Sequence, residues 1–149
     1  MSTAIHLARP DDIEALVALM ARGHAERALT FDDAHRRKAV RPLLDGSPHG
    51  AVWLIGPQRA PLGYVVVAFG WSVALAGLEG WIEDVFVRPS VRRRGIGTEV
   101  LHAVAVSLAQ GGVRALNVRL SDADAAAMAF CSKVGFAARP GDRVMTDML

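Results

Sequence analysis

The chain has 149 residues, of which 52% are apolar and 21% are charged, a balance typical of a compact globular protein and not of a disordered one. Its net charge of +2 is too small for a long nucleic-acid track, and its single cysteine excludes an internal disulfide. The apolar runs are too short to cross a membrane, and the N-terminus lacks a secretory pattern. We therefore expect one soluble, cytoplasmic domain over residues 1–149.

The first part of the chain predicts a strand and two helices. Residues 4–9 form the strand, and Asp11 with Glu14 predicts a capping box for a helix that ends near Arg22. A second helix follows, and its basic residues between 36 and 41 are expected to face solvent.

Strand and helix patterns alternate through the rest of the chain. Three strands in an antiparallel meander precede a long helix, a strand parallel to the third of them, and a last helix. Two closing strands are expected after that helix. In chain order these elements are expected at residues 51–55, 63–69, 81–87, 95–110, 114–120, 122–134, 136–138 and 143–149.

A basic, glycine-containing turn separates the apolar strand at 81–87 from the long helix. Backbone N–H groups in the first turn of a helix lack partners and carry the positive end of the helix dipole. Gly95 and Gly97 have no Cβ, so the amides of residues 94–98 can surround phosphate oxygens, while the arginines at 92–94 add positive charge. The turn therefore predicts a site for a phosphate-bearing anion. Walker and dinucleotide motifs do not fit this spacing.

The spacing Arg92-x-x-Gly95-x-Gly97, after a strand that ends Val87-Arg88-Pro89, resembles the acetyl-CoA-binding motif of the GNAT N-acetyltransferase superfamily. The chain is most similar to the diamine (spermidine/spermine-type) branch. The resemblance covers nearly the whole chain and implies an α/β (α+β) fold with a mixed sheet of six to seven strands, about four helices and the order β-α-α-β-β-β-α-β-α-β-β. It also implies acetyl-CoA as co-substrate and a homodimer. No metal is expected, because the histidines lack metal-ligand spacing.

The same resemblance assigns the coenzyme site. The strand backbone pairs with the pantetheine arm, and the turn holds the pyrophosphate. The residues assigned to the coenzyme are Val85, Phe86, Val87, Arg92, Arg93, Arg94, Gly95, Ile96, Gly97, Thr98 and Asp124.

The reaction implied is direct acetyl transfer to an amine. An aliphatic ammonium has a pKa near ~10, so a base is needed before it attacks. By resemblance Glu83 is that base, directly or through water, and Asp84 attracts the acceptor or is the alternative base. Strand alternation puts these two side chains on opposite faces. We expect the N–H of Val85 to polarise the thioester carbonyl. Trp71 and Trp81 are expected to be chiefly core or rim aromatics, and Trp71 is also assigned as an acceptor contact that stacks on a cation.

The last helix departs from the family pattern. Family members often have Asn, then Tyr seven residues later, then Gly-Phe, and the Tyr protonates the leaving thiolate. Here Asp124, Cys131 and Gly135-Phe136 stand at these positions. A thiol has a pKa of about 8.5, so we expect Cys131 to be a general acid of minor importance.

Several acceptors remain open from the sequence. A small polyamine-like or amino-acid-like amine is the first hypothesis; a protein N-terminus, a lysine side chain and an aminoglycoside are alternatives. The replacement of Tyr by Cys131 also leaves open a non-catalytic, acyl-CoA-binding regulatory module. Nucleic acid is not expected, because no aromatic residues are interleaved with the basic ones.

Overall fold

The computed structural model describes residues 3–149. They divide into two compact units, residues 3–119 and 120–149, and each is described by itself. The first unit contains β1 Ile5–Leu7, α1 Ile13–Glu26, α2 Asp33–Leu44, β2 Gly50–Ile55, β3 Gly63–Ser72, β4 Gly77–Val87, α3 Ile96–Gln110 and β5 Val113–Val118. The second contains α4, Ala125–Lys133. The expectation of one domain over residues 1–149 stays a prediction.

The sheet has five strands in the order β1-β2-β3-β4-β5. Strands β1 to β4 are antiparallel to their neighbours, and β5 is parallel to β4. The meander, the mixed sheet and four helices are therefore confirmed. The expected six to seven strands and the expected element order are wrong, because residues 136–138 and 143–149 form no strand in the described chain. A strand needs cross-strand hydrogen bonds, and a short apolar run does not supply them alone.

Several element boundaries in the first unit differ from the prediction, and α1 extends to Glu26 instead of ending near Arg22. Arg9 donates its backbone N–H to Oδ2 of Asp12 at 2.8 Å, in place of the expected box between Asp11 and Glu14. The hairpin between β3 and β4 turns at residues 73–76, so both strands are longer than expected.

The main hydrophobic core lies between the sheet and helices α1 and α2. We call the side of the sheet that packs against this core the α1 face. Burial of each large apolar side chain contributes roughly 1.5–3 kcal/mol, and the periodic apolar stripe of α1 supplies five such side chains. The buried members of the core are Ile13, Leu16, Val17, Leu19, Met20, Val40, Leu44, Val52, Leu54, Tyr64, Val66 and Phe86.

Within residues 3–149, no helix combines the length and the apolar character needed to cross a bilayer.

Candidate active site

A β-bulge lies in β4 at Glu83. Asp84 pairs with Val66 on β3, but Ile82 pairs with Val67, so Glu83 has no partner residue of its own on β3. Val66 and Val67 are adjacent and point to opposite faces of the sheet, and directly paired residues share a face. Ile82 and Asp84 therefore lie on opposite faces although they are two residues apart. The bulge therefore shifts the alternation of side chains between the two faces of β4 at Glu83, the predicted base.

The bulge corrects the expectation that Glu83 and Asp84 point to opposite faces. Asp84 lies on the α1 face with Val66. Trp81 lies on the same face, because it pairs with Ala68, two residues from Val66. The Arg119 guanidinium lies 4.1 Å from the centroid of the Trp81 ring, and its Nη1 lies 3.6 Å from Oε2 of Glu83. Both carboxylates are therefore at the α1 face.

Asp84 is held by three donors. Its Oδ2 lies 2.7 Å from Nε2 of His24, and its Oδ1 accepts from Nη2 of Arg27 at 2.6 Å and from the hydroxyl of Tyr64 at 2.9 Å. Only 12% of the Asp84 side chain is exposed. A carboxylate offers about four acceptor positions, and three of them are used here. Asp84 therefore ties β4 to α1 and β3.

The tautomer of His24 follows from its second contact. Nε of Arg36 donates to Nδ1 of His24 at 3.1 Å, and an arginine is always a donor. Nδ1 therefore carries no proton, and Nε2–H donates to Asp84. Arg36 also bonds Oδ1 of Asp33 at 2.6 Å and is only 7% exposed. This corrects the expectation that the basic residues at 36–41 all face solvent.

Tyr64 completes this buried cluster. Burial raises the pKa of its phenol far above the ordinary value, and the negative charge of Asp84 and the hydrogen bond to it raise that pKa further. The hydroxyl therefore stays protonated and acts as a donor. The sequence interpretation did not find His24, Arg27, Arg36 and Tyr64. One signal was present, because His24 follows Met20 by four residues on the apolar stripe of α1, and a buried polar group needs partners.

Glu83 differs from Asp84 in its surroundings. Its side chain is 49% exposed, and its contact with Arg119 at 3.6 Å is longer than a hydrogen bond. The Glu83 carboxylate is therefore free to accept a proton from a molecule that enters from solvent. This is the property that a general base needs.

The edge of β4 next to Glu83 is open. Pairing between β4 and β5 ends at Ile82 and Val118, whereas β3 stays paired with β4 as far as Val87. Arg88 donates its backbone N–H toward β3, to Leu62 O at 2.8 Å. Because backbone groups alternate between the two edges of a strand, Val85 and Val87 direct theirs to the open edge. Within residues 3–119, no strand pairs with this edge beyond Ile82.

The turn before α3 presents free amides. Gly95 is the N-cap of α3 with φ +75°, and Arg93 has φ +64°. The first helical bond runs from Glu99 N to Gly95 O. In residues 3–119, no acceptor binds the backbone N–H of residues 94–98. Such an array of amides at a helix N-terminus binds phosphate oxygens.

The Arg92 side chain turns away from this array. Its Nε donates to Val87 O at 2.8 Å, and its Nη2 donates to Oε2 of Glu26 at 2.6 Å. Its guanidinium lies 5.5 Å from the centroid of the Phe86 ring. Arg92 therefore fixes the turn to β4 and α1, and the exposed Arg93 and Arg94 are left to attract an anion.

The side chain of Trp71 does not lie beside Glu83 in the folded first unit. It pairs with Leu78 near the hairpin end of β3 and β4. It follows Val67 by four residues on β3, so the two side chains point to the same face of the sheet. By alternation it faces away from the α1 face, with 69% of its surface exposed. An acceptor contact from Trp71 to a molecule bound at Glu83 therefore has no support from the geometry of residues 3–119.

The second unit carries the other predicted residues. Asp124 caps α4 by accepting from Ala127 N at 3.0 Å. Cys131 is buried in α4, and burial followed by the charge of Asp124 raises the pKa of its thiol. Over residues 3–149, no cluster of three His, Cys, Asp or Glu side chains has the arrangement of a metal site.

These features fit a thioester coenzyme. The free amides of residues 94–98 suit a diphosphate. The open edge at Val85 and at the N–H of Val87 suits an extended amide-containing arm, while Val87 O is bonded to Arg92. A thioester carbonyl at Val85 N–H would lie near the bulge, where Glu83 is exposed.

Comparisons with known proteins give the same assignment. The chain matches the profile of the Acetyltransferase (GNAT) family over residues 12–136. No curated protein matches it. An integron cassette protein from the mobile metagenome of Cole Harbour Salt Marsh is 30% identical, with TM-score 0.84 over 97% of this chain and 90% of that one.

Two aminoglycoside acetyltransferases share the fold. One, from an uncultured soil metagenomic sample and in complex with sisomicin, is 17% identical, with TM-score 0.79 over 99% of this chain and 96% of that one. The other, AAC(6')-Iy in complex with CoA, is also 17% identical, with TM-score 0.81 over 99% of this chain and 94% of that one. The family profile covers most of the chain, and the open β4 edge and the free amides fit its coenzyme. The chain therefore belongs to the GNAT family and is an acetyl-CoA-dependent acetyltransferase.

Proposed function

We propose that the protein transfers the acetyl group of acetyl-CoA directly to a primary amine of a small molecule, with Glu83 as general base. The observation that carries this proposal is the contrast between the two adjacent carboxylates. Asp84 is 12% exposed and bound by three donors, whereas Glu83 is 49% exposed and has no hydrogen-bonded partner within residues 3–119. Glu83 is the carboxylate that an amine from solvent reaches.

The chemistry follows from the positions of these groups. When bound, acetyl-CoA supplies an acyl carbon activated by a thiolate leaving group. Glu83 takes the proton of the acceptor ammonium, directly or through one water, so that the neutral nitrogen attacks. The N–H of Val85 donates to the carbonyl oxygen as negative charge develops on it. Arg93, Arg94 and the amides of residues 94–98 hold the diphosphate, and Asp84 keeps the bulge in place.

Two classes of acceptor are proposed as candidates. A polyamine-like or amino-acid-like amine is the first candidate, and the resemblance to the diamine branch favours the former. The second candidate is an aminoglycoside, because two proteins of the same fold are aminoglycoside acetyltransferases. A protein N-terminus or lysine and a non-catalytic acyl-CoA-binding module are the remaining alternatives.

Two further parts of the proposal concern α4 and assembly. Cys131 is assigned a minor role as general acid toward the leaving thiolate, on the family position alone.

A homodimer is proposed because Val144, Met145 and Met148 have 70%, 94% and 86% of their surface exposed, which a partner would cover. Light scattering at several protein concentrations measures the oligomeric state.

The test is the Glu83→Gln variant, which keeps the size of the side chain and removes its basicity. Thiol release is measured with a panel of polyamines, amino acids, aminoglycosides and peptides. We expect at least a roughly hundredfold loss in kcat, with unchanged acetyl-CoA affinity by calorimetry. Glu14→Gln is the control, because Glu14 is an exposed carboxylate paired with Arg37.

Two results would contradict the proposal. Equal turnover of Glu83→Gln and wild type removes the base assignment. Coenzyme binding without turnover on any member of the panel favours the non-catalytic module instead.

A further inference from the structure

Arg119 lies beside the proposed base in an unusual setting. Its guanidinium lies over the Trp81 ring at 4.1 Å, and its Nη1 is 3.6 Å from Oε2 of Glu83. We infer that Arg119 selects acceptors that carry a carboxylate next to the amine, which makes amino acids the acceptor class. This inference rests on the proposed function and names its substrate.

The N–H groups of Arg119 are available to a ligand. In residues 3–119, the Arg119 guanidinium donates no hydrogen bond to a protein group, and 52% of the side chain is exposed. Three other arginines that pack around β4 and α1 are engaged by hydrogen bonds. Arg27 is bonded to Asp84, Arg36 to His24 and Asp33, and Arg92 to Val87 and Glu26.

Stacking fixes where the guanidinium can bind. A cation over an indole ring is attracted by the ring's electrons, and arginine does this while its planar N–H donors stay free at the edge. Those donors match the two oxygens of a carboxylate. Trp81 therefore holds Arg119 in place as a carboxylate receptor, at less conformational cost than an unsupported arginine.

The two exposed charges at the site, one negative and one positive, match the two charges of a zwitterion. Asp84 is paired with Arg27 and also bound by His24 and Tyr64, so the exposed pair is one negative group, Glu83, and one positive group, Arg119. In an amino acid the ammonium and the carboxylate are separated by one carbon atom, which suits two protein groups 3.6 Å apart. A polyamine or an aminoglycoside presents only positive charge and is repelled by Arg119.

The experiment compares acceptors that differ only in the carboxylate. Phenylalanine, phenylalaninamide and phenethylamine form one such set, and lysine, lysinamide and cadaverine form another. We expect wild-type kcat/KM to be at least about tenfold higher for the amino acid, because its carboxylate makes charge-assisted hydrogen bonds. In Arg119→Gln the preference for the amino acid over its matched amine should disappear through KM, with coenzyme affinity retained. Arg119→Lys should restore part of it.

Binding is measured alongside turnover, so that failure of the proposed function can be distinguished from failure of the inference about Arg119. Calorimetry on the CoA-saturated protein compares the same acceptors without any reaction. If no acceptor turns over, the proposed function is overturned, yet a carboxylate preference in binding that Arg119→Gln abolishes still supports the inference.

The inference is overturned if Arg119→Gln still prefers amino acids to the matched amides and amines. It is equally overturned if wild type acetylates and binds amines, polyamines or aminoglycosides as well as amino acids. Arg114→Gln is the matched control, because Arg114 lies near the start of β5, whereas Arg119 directly follows the end of that strand. It should behave as wild type.

Discussion

Ile82 and Asp84 lie on opposite faces of the sheet although only one residue separates them in β4. In a regular strand they would share a face. The bulge at Glu83 therefore gives one face two adjacent carboxylates with different surroundings. Asp84 is bound by three protein donors and fixes the strand, and Glu83 is half-exposed to solvent.

Replacing Asp84 should cost stability as well as activity. Asp84→Asn removes the carboxylate charge to which Arg27, His24 and Tyr64 donate, and losing a hydrogen bond to a charged group costs roughly 1.5–3 kcal/mol. Urea unfolding should show this decrease, and kcat should fall because the bulge that places Glu83 loses its anchor. Glu14→Gln is the control for loss of a surface carboxylate. An unchanged urea midpoint for Asp84→Asn would show that the cluster does not hold β4.

The arginines of the turn should separate into two classes. Arg93→Gln with Arg94→Gln should weaken acetyl-CoA binding about three- to tenfold and reduce its dependence on salt, because both side chains are exposed charges. Arg92→Gln should chiefly lower the unfolding midpoint, since Arg92 bonds Val87 O and Glu26. Calorimetry at two salt concentrations and thermal unfolding measure the two effects. A larger affinity loss in Arg92→Gln would mean that its side chain moves to the phosphate.

Stability should fall in alkali because of Tyr64. Its folded-state pKa is raised, so its contribution is fully present below the unfolded pKa of about 10 and is lost as pH rises above that value. Wild type should lose up to about 1.4 kcal/mol per pH unit from this group, and Tyr64→Phe should show a shallower decline. Tyr64 is the only tyrosine, so phenolate absorbance reports it directly. Phenolate that appears near pH 10 while the protein is folded would contradict the buried hydrogen bond.

Cys131 should react slowly and matter little for turnover. Burial raises the pKa of its thiol, so the thiolate that iodoacetamide attacks is scarce at pH 8. Because this is the only cysteine, the unfolded protein supplies the reference rate. We expect Cys131→Ala to keep kcat within about tenfold of wild type. A loss of more than roughly a hundredfold would make the thiol a central general acid.

The sequence alone determined the parts of the protein that depend on local order along the chain. An apolar strand, a basic turn with Gly95 and Gly97, and a helix from Ile96 are contiguous, so their residue types predicted a site for a phosphate-bearing anion. The family resemblance then identified that anion as acetyl-CoA. The apolar stripe of α1 and the parallel pair of β4 and β5 follow from periodicity and from connection rules. The choice of Glu83 as base came from the family resemblance.

Only the tertiary structure decided which side chains meet. The bulge depends on how β3 and β4 pair, and a shift of one residue changes the face of every side chain beyond it. The cluster of His24, Arg36, Tyr64 and Asp84 joins residues up to 60 positions apart, and nothing in the local sequence specifies those distances. The place of Arg119 over Trp81 likewise depends on where β5 ends against β4. Residues 136–149 show the same limit, since their apolar runs do not specify a strand partner.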